Sequence, residues 1–296
     1  MTAKIIADSI SERGYRLTTM QVKMHRFVLS EFNTHRKFSR NSASSRAIPL
    51  KKQIQMIKEN PAYPVEWRKE QSGMQGGEQL SGHSLLRSQA MWEDSMASAI
   101  EIVERYVKEA EDNGEDLLHK SWLNRLLEPY MWHTVCVTST EWNNFFRQRC
   151  SPLAQPEIRV VAADMQHALY ESTPIEQPDK YWDIPNDHYH LPYLRGSEAP
   201  SIAMFGYDIR AISAARSARV SYLTQEGERD YEKDFSLFER LVDPGDGPPH
   251  WSPFEHVARP ALEGEIPRGN FDGWIQLRQE LQERTVKIDG RIDWTS

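Results

Sequence analysis

From Ser84 to Asn113 the residues Trp92, Met96, Ala99, Val103, Tyr106 and Ala110 recur at spacings of three and four. Gly114 stands where a helix favours a left-handed C′ residue. This predicts a long amphipathic helix, whose apolar stripe needs a partner to bury it. A different rhythm runs from Arg16 to Met24. There Leu17, Met20, Val22 and Met24 stand against Thr19, Gln21 and Lys23, and the stretch reads as a strand. Met131 to Thr140 is β-rich. Helices are expected over His25–Thr34, Glu115–Leu127, Pro156–Glu171, Ile209–Arg219, Arg229–Val242 and Phe271–Thr285, with a strand over Phe254–Ala261. Pro61, Pro64 and the Gly76-Gly77 pair mark a polar loop to about Gly82. Thr173 to Pro200 is rich in Pro, Asp and Tyr and lacks periodicity. The chain therefore divides into an N-terminal region, residues 1–172, a linker, residues 173–200, and a C-terminal region, residues 201–296. The simplest arrangement of the three is one intertwined domain.

The 296 residues carry a net charge of -7. A general polyanion binder is thereby disfavoured, and no nucleic-acid polymer is expected as partner, although a local basic pocket for one nucleotide is allowed. No apolar run reaches the ~18 residues of a membrane helix. Residues 1–14 lack the apolar core of a secretory signal, so a cytoplasmic home without membrane contact is expected. Cys136 and Cys150 make neither a disulfide framework nor a metal quartet.

Two segments are dense in polar groups where a plain core would want apolar ones. The first has His35 and Arg36, then seven residues, then Ser44 and Arg46, with Ser39 and Asn41 between. It suits either a solvated helix end or a cradle in which Arg and hydroxyls hold an anion. The second runs Glu141-Trp142-Asn143-Asn144-Phe145-Phe146-Arg147-Gln148-Arg149, then Ala154-Gln155-Pro156-Glu157-Ile158. An amphipathic helix explains its aromatics but not Asn144, Arg149 and Gln155. Near the C-terminus stand Ala218-Arg219-Val220-Ser221-Tyr222 and His250-Trp251-Ser252-Pro253-Phe254-Glu255-His256. His250, Glu255 and His256 invite a zinc reading, but their spacing is not that of His-Glu-x-x-His and no metal is expected. Cys150 beside Arg149 invites a nucleophile reading, against which a small packed cysteine is the simpler one.

Together these segments resemble the flavin-dependent thymidylate synthases, the ThyX family. The first resembles its Arg-His-Arg-x-x-Ser-x-Asn-Glu-x-Ser-x-Arg pattern, with Thr34 for the first Arg and Ser42 for the Glu. The second resembles its Asn-Phe-x-x-x-Arg and Ala-Gln-x-Glu-Ile pattern. The resemblance implies an α+β fold, an antiparallel β-sheet flanked by helices, and a homotetramer with sites between subunits. It implies reductive methylation of dUMP to dTMP, with FAD as cofactor and NADPH and methylenetetrahydrofolate as co-substrates. By carry-over Arg149 is catalytic and binds the uracil ring. Ser44, Arg46 and Arg125 hold the nucleotide, Arg125 lent by a neighbour. His35, Arg36, Asn41, Asn144, Gln155, His250 and Ser252 hold flavin. The two C-terminal segments come first in the family and last here, so the chain resembles a circular permutation of it. The tail 269–278, with Gln276 and Arg278, has no counterpart and is expected to supply contacts missing at Thr34 or Glu31. Alternatives are a hydroxymethylase acting on dUMP or dCMP, and a non-catalytic flavin or nucleotide binder.

Overall fold

A computed structural model describes residues 1–178, 188–222 and 229–287. The strands are β1 (Thr2–Ser11), β2 (Arg16–His25), β3 (Ser39–Ser42), β4 (Trp132–Ser139), β5 (Ile175–Gln177), β6 (Ala258–Pro260) and β7 (Trp274–Gln276). The helices are α1 (Leu29–Asn33), α2 (Leu50–Glu59), α3 (Gly82–Asn113), α4 (Lys120–Arg125), α5 (Asn143–Arg149), α6 (Pro156–Glu171), α7 (Ala199–Met204), α8 (Ile209–Arg219), α9 (Tyr231–Val242) and α10 (Leu277–Lys287). Strands β1 to β5 form one sheet in the order β3-β4-β2-β1-β5, and β6 pairs with β7 separately. The fold is α+β. The large sheet is antiparallel except at its edge, where β5 runs parallel to β1.

Successive side chains of a strand point to opposite faces. One face presents Met20, Val22 and Met24 of β2 with Val135 and Val137 of β4. On them lie Phe145 and Phe146 of α5 and Ile158, Val161 and Met165 of α6. Each such side chain, once buried, contributes about 1.5–3 kcal/mol. The other face is polar. Thr19 Oγ1 meets Thr138 Oγ1 at 2.6 Å and His190 Nε2 at 2.7 Å. His190 Nδ1 meets Ser9 Oγ at 2.9 Å, and Thr138 Oγ1 meets His256 Nδ1 at 2.7 Å. All five side chains are buried, so this seam ties His190 of the linker and His256 of the C-terminal region to three strands. Leu17 also lies on this face, against Ala258, Phe271 and Trp274. It is three residues from Met20, so the pleat sends the two to opposite sides.

The long helix stands as expected. Its Ile100 and Val103 are buried with Ile54 and Ile57 of α2 and Leu123 of α4, and Gly114 takes φ 68°. Helices α6 and α8 keep their expected bounds, and Pro156 opens the former. Five expectations need correction. Of His25–Thr34, His25 closes β2, Arg26–Val28 is a 3-10 turn and only Leu29–Asn33 is α-helical. Between 115 and 127 only Lys120–Arg125 is helical. Strand β6 is three residues long and follows a 3-10 turn at Ser252–Glu255. The helix expected from Phe271 starts at Leu277, because 274–276 pair with β6. Residues 39–42 are a strand, not a helix end. Within 173–200, β5 and the start of α7 are ordered structure; 179–187 lie outside the described residues. No described helix is long and apolar enough to cross a membrane.

Candidate active site

Arg149, the last residue of α5, reaches the turn that follows α1. Its Nε donates to His35 Nε2 at 3.0 Å. Its Nη2 donates to Thr34 Oγ1 at 3.1 Å and to the Glu31 carbonyl at 3.3 Å. No described residue bonds Nη1. One edge of the guanidinium is thus fixed, and one corner remains to meet an anion or a carbonyl oxygen. Accepting from Arg149 requires His35 Nε2 to be unprotonated. Burial, together with Arg149 and Arg40, lowers the His35 pKa to about 4. The ring is buried edge-on to Phe145, with centroids 4.9 Å apart. Thr34, which departs from the family pattern, is therefore an acceptor for Arg149.

The strand β3 joins the first motif to the C-terminal segments. Asn41 is buried and its Nδ2 donates to the Ser217 carbonyl on α8 at 3.5 Å. The Ser44 N–H donates to the Ser221 carbonyl at 3.2 Å, and Ser44 Oγ accepts from the Arg46 N–H at 3.3 Å. Asn124 of α4 donates to the carbonyls of Ser45 and Ile48, which clamps this turn. Ser39 Oγ accepts from Asn270 and Gln276, both at 3.1 Å. Gln276 also donates to the Glu255 carbonyl, and Arg278 pairs with the Glu255 carboxylate. Lys37 pairs with Asp272 at 2.8 Å. The tail thus meets the first motif at Lys37 and Ser39, whereas Thr34 and the Glu31 carbonyl are engaged by Arg149.

Other expected site residues are placed separately. Arg36 and Arg46 are exposed beside the bonded turns. Arg125 is exposed, its guanidinium 5.5 Å from the centre of the Trp122 ring. Asn144 is exposed and accepts from Arg147 and Gln148. Gln155 is exposed and donates to Glu157 at 3.1 Å. His250 is exposed and lines a cleft of about 900 Å³ with Arg219, Lys233 and Arg240. Ser252 is exposed at the start of its 3-10 turn. Of the zinc candidates, His256 is held by Thr138 and Glu255 by Arg278. Burial raises the Cys150 thiol pKa, which favours a packed thiol over a thiolate. Nothing in the sequence marks Asn124 or Asn270, or the clamping roles of Ser39 and Glu255. Each is a polar side chain clamping a backbone or another side chain, a task without a local signature.

The chain is an α+β protein in which an arginine is fixed between two polar motifs beside a helix-flanked sheet. Residues 16–175 match the family model Thy1, thymidylate synthase complementing protein, and the chain belongs to that family, the ThyX family. The match holds both Arg149 and the His35–Arg46 segment. Among curated proteins nothing matches. Among solved structures the chain is similar to "flavin dependent thymidylate synthase ThyX" from Helicobacter pylori "complexed with FAD and dUMP". Identity is 16%, the TM-score is 0.36, and the match covers 52% of this chain and 67% of that one.

Proposed function

We propose that the chain is a flavin-dependent thymidylate synthase, which converts dUMP to dTMP with methylenetetrahydrofolate as carbon donor and NADPH as reductant. The observation that carries this reading is Arg149, held by Thr34, His35 and the Glu31 carbonyl with Nη1 left over. A cation fixed before substrate arrives needs no reorganisation when negative charge develops on a uracil ring. Neutral His35 holds the fork and adds no competing charge. Ser44 and Arg46 flank the nucleotide phosphate. Exposed Arg125 has no acid partner among the described residues, which suits a phosphate in a neighbouring subunit of a homotetramer.

The residues suit FAD in kind. Arg219, Lys233, Arg240 and His250 share one cleft with Asp230 and Glu232; Arg219 pairs with Asp234 and Lys233 with Asp230, which leaves Arg240 and His250 as its donors toward a pyrophosphate. Exposed Arg36, Asn144, Gln155 and Ser252 offer further polar contacts, while buried His35 holds Arg149 and buried Asn41 ties β3 to the Ser217 carbonyl. Bound FAD would carry the hydride taken from NADPH. In this reading the segments 218–222 and 250–256 complete on the polar face what 34–46 and 141–158 begin, as a rotated segment order requires. The N-terminal region, residues 1–172, and the C-terminal region, residues 201–296, then act as one domain.

The test is an absorption spectrum from 300 to 550 nm, before and after anaerobic NADPH, followed by mass analysis of the product from dUMP and methylenetetrahydrofolate. A flavin band that bleaches, with dTMP as product, is expected. A hydroxymethylated nucleotide would assign the hydroxymethylase reaction instead. A protein that takes up no FAD would overturn the proposal.

A further inference from the structure

The turn that carries Ser44 and Arg46 is held by two side chains of α4. Asn124 is fully buried, and its Nδ2 donates to the Ser45 carbonyl at 2.8 Å and to the Ile48 carbonyl at 3.0 Å. Lys120, one helical turn earlier, donates through Nζ to the Ala47 carbonyl at 3.3 Å. Within the turn, the Ser44 carbonyl accepts from the N–H groups of Ala47 and Ile48. Ser44 Oγ accepts from the Arg46 N–H at 3.3 Å. What the turn has left is mostly donors. The Ser44 hydroxyl proton, the Ser45 N–H and the Arg46 guanidinium meet no acceptor among the described residues, and of the carbonyls from 44 to 48 only that of Arg46 accepts nothing from them. A donor-rich turn of this kind selects an oxyanion.

Asn124 carries a cost of its own. Its Oδ1 is buried and has no partner, and an unpaired buried acceptor destabilises the fold. The amide therefore meets the turn through its two N–H groups alone. We propose that Asn124 is a positioning residue, which keeps the turn donor-rich and so sets the preference for a phosphorylated over an unphosphorylated nucleoside. The nucleotide as source of that phosphate rests on the function proposed above. Removing the amide frees the carbonyls of Ser45 and Ile48. A freed carbonyl oxygen repels a phosphate oxygen, yet it can accept from the 5′ hydroxyl of deoxyuridine.

The test is calorimetry on the FAD-loaded full chain with dUMP and deoxyuridine as separate titrants, beside steady-state turnover. The wild-type chain is expected to bind dUMP the more tightly. Asn124→Ala is expected to weaken dUMP about tenfold and deoxyuridine less than about twofold, and to raise KM for dUMP with kcat held within about twofold. Lys120→Gln, on a half-buried side chain, removes only the Ala47 contact and is expected to weaken dUMP about threefold. It is read at about 0.5 M salt, where the lost charge itself is screened, and it decides the inference if Asn124→Ala does not fold. Equal losses for the two titrants, or a dUMP affinity that neither variant changes, overturn the inference; dTMP formation by the wild-type chain then leaves the proposed function standing. A wild-type chain that binds no dUMP overturns the proposed function and the inference with it.

Discussion

At Arg149 three hydrogen bonds remove the freedom of one guanidinium edge and leave Nη1 unbonded by any described residue, the corner that the proposed function gives to substrate. Lysine would keep the charge but not the fork. Arg149→Lys is therefore expected to lower turnover about a hundredfold with the fold intact, measured as kcat beside a circular dichroism spectrum. His35 sets a pH limit. Its pKa is about 4 folded against 6.5 unfolded, so between those values the unfolded chain binds more protons. Its contribution to stability is complete above 6.5 and is lost as pH falls toward 4. Protonation would also set a second cation against Arg149. Affinity for dUMP is expected to hold from pH 7 to 5.5 and to fall as pH approaches 4; a flat profile to pH 4 would remove His35 from this role. The residue types around Arg149 were legible as a polar cluster. The acceptor role of Thr34 was not, because a threonine in an arginine position says only that the arginine is gone.

At the level of elements, periodicity worked where one face is apolar and failed where neither is. α3, α6 and α8 carry apolar faces over 11 residues or more and could be placed from sequence. β3 is Ser39-Arg40-Asn41-Ser42. Its inward residues Ser39 and Asn41 are polar because they meet the clamps from Gln276, Asn270 and Ser217, so no alternation marks it. In the C-terminal tail, Trp274-Ile275-Gln276 runs straight into Leu277 without a Gly or Pro, and nothing local separates strand from helix. Gly273 before them takes φ 74°, and a Cβ there would stand 2.3 Å from the Tyr15 ring. Gly273→Ala meets both backbone strain and overlap, and is expected to cost roughly 2 kcal/mol, read from urea unfolding. An unchanged midpoint would mean that the Tyr15 ring and the β7 entry shift freely.

Across the whole molecule, the seam Ser9–His190–Thr19–Thr138–His256 joins side chains up to 181 positions apart, a distance that no sequence pattern spans. Thr138→Val removes two of its contacts and leaves buried partners unsatisfied, so a loss of about 2–3 kcal/mol is expected in urea unfolding. If the N- and C-terminal regions form one domain, unfolding followed by fluorescence and by circular dichroism will coincide in a single transition. His190 and His256, buried with pKa values lowered to about 3, add acid sensitivity between pH 6.5 and 3 by the same sign as His35. The two-faced sheet also matters during synthesis. Residues 1–178 can cover their apolar face with α5 and α6 while still on the ribosome. The face left waiting carries Thr19, Gln21 and Thr138 beside the apolar Leu17, and water can serve its polar groups until residues 188–287 emerge, on the order of ten seconds later. A nascent chain arranged this way presents little to sticky neighbours at the stage when it is least complete.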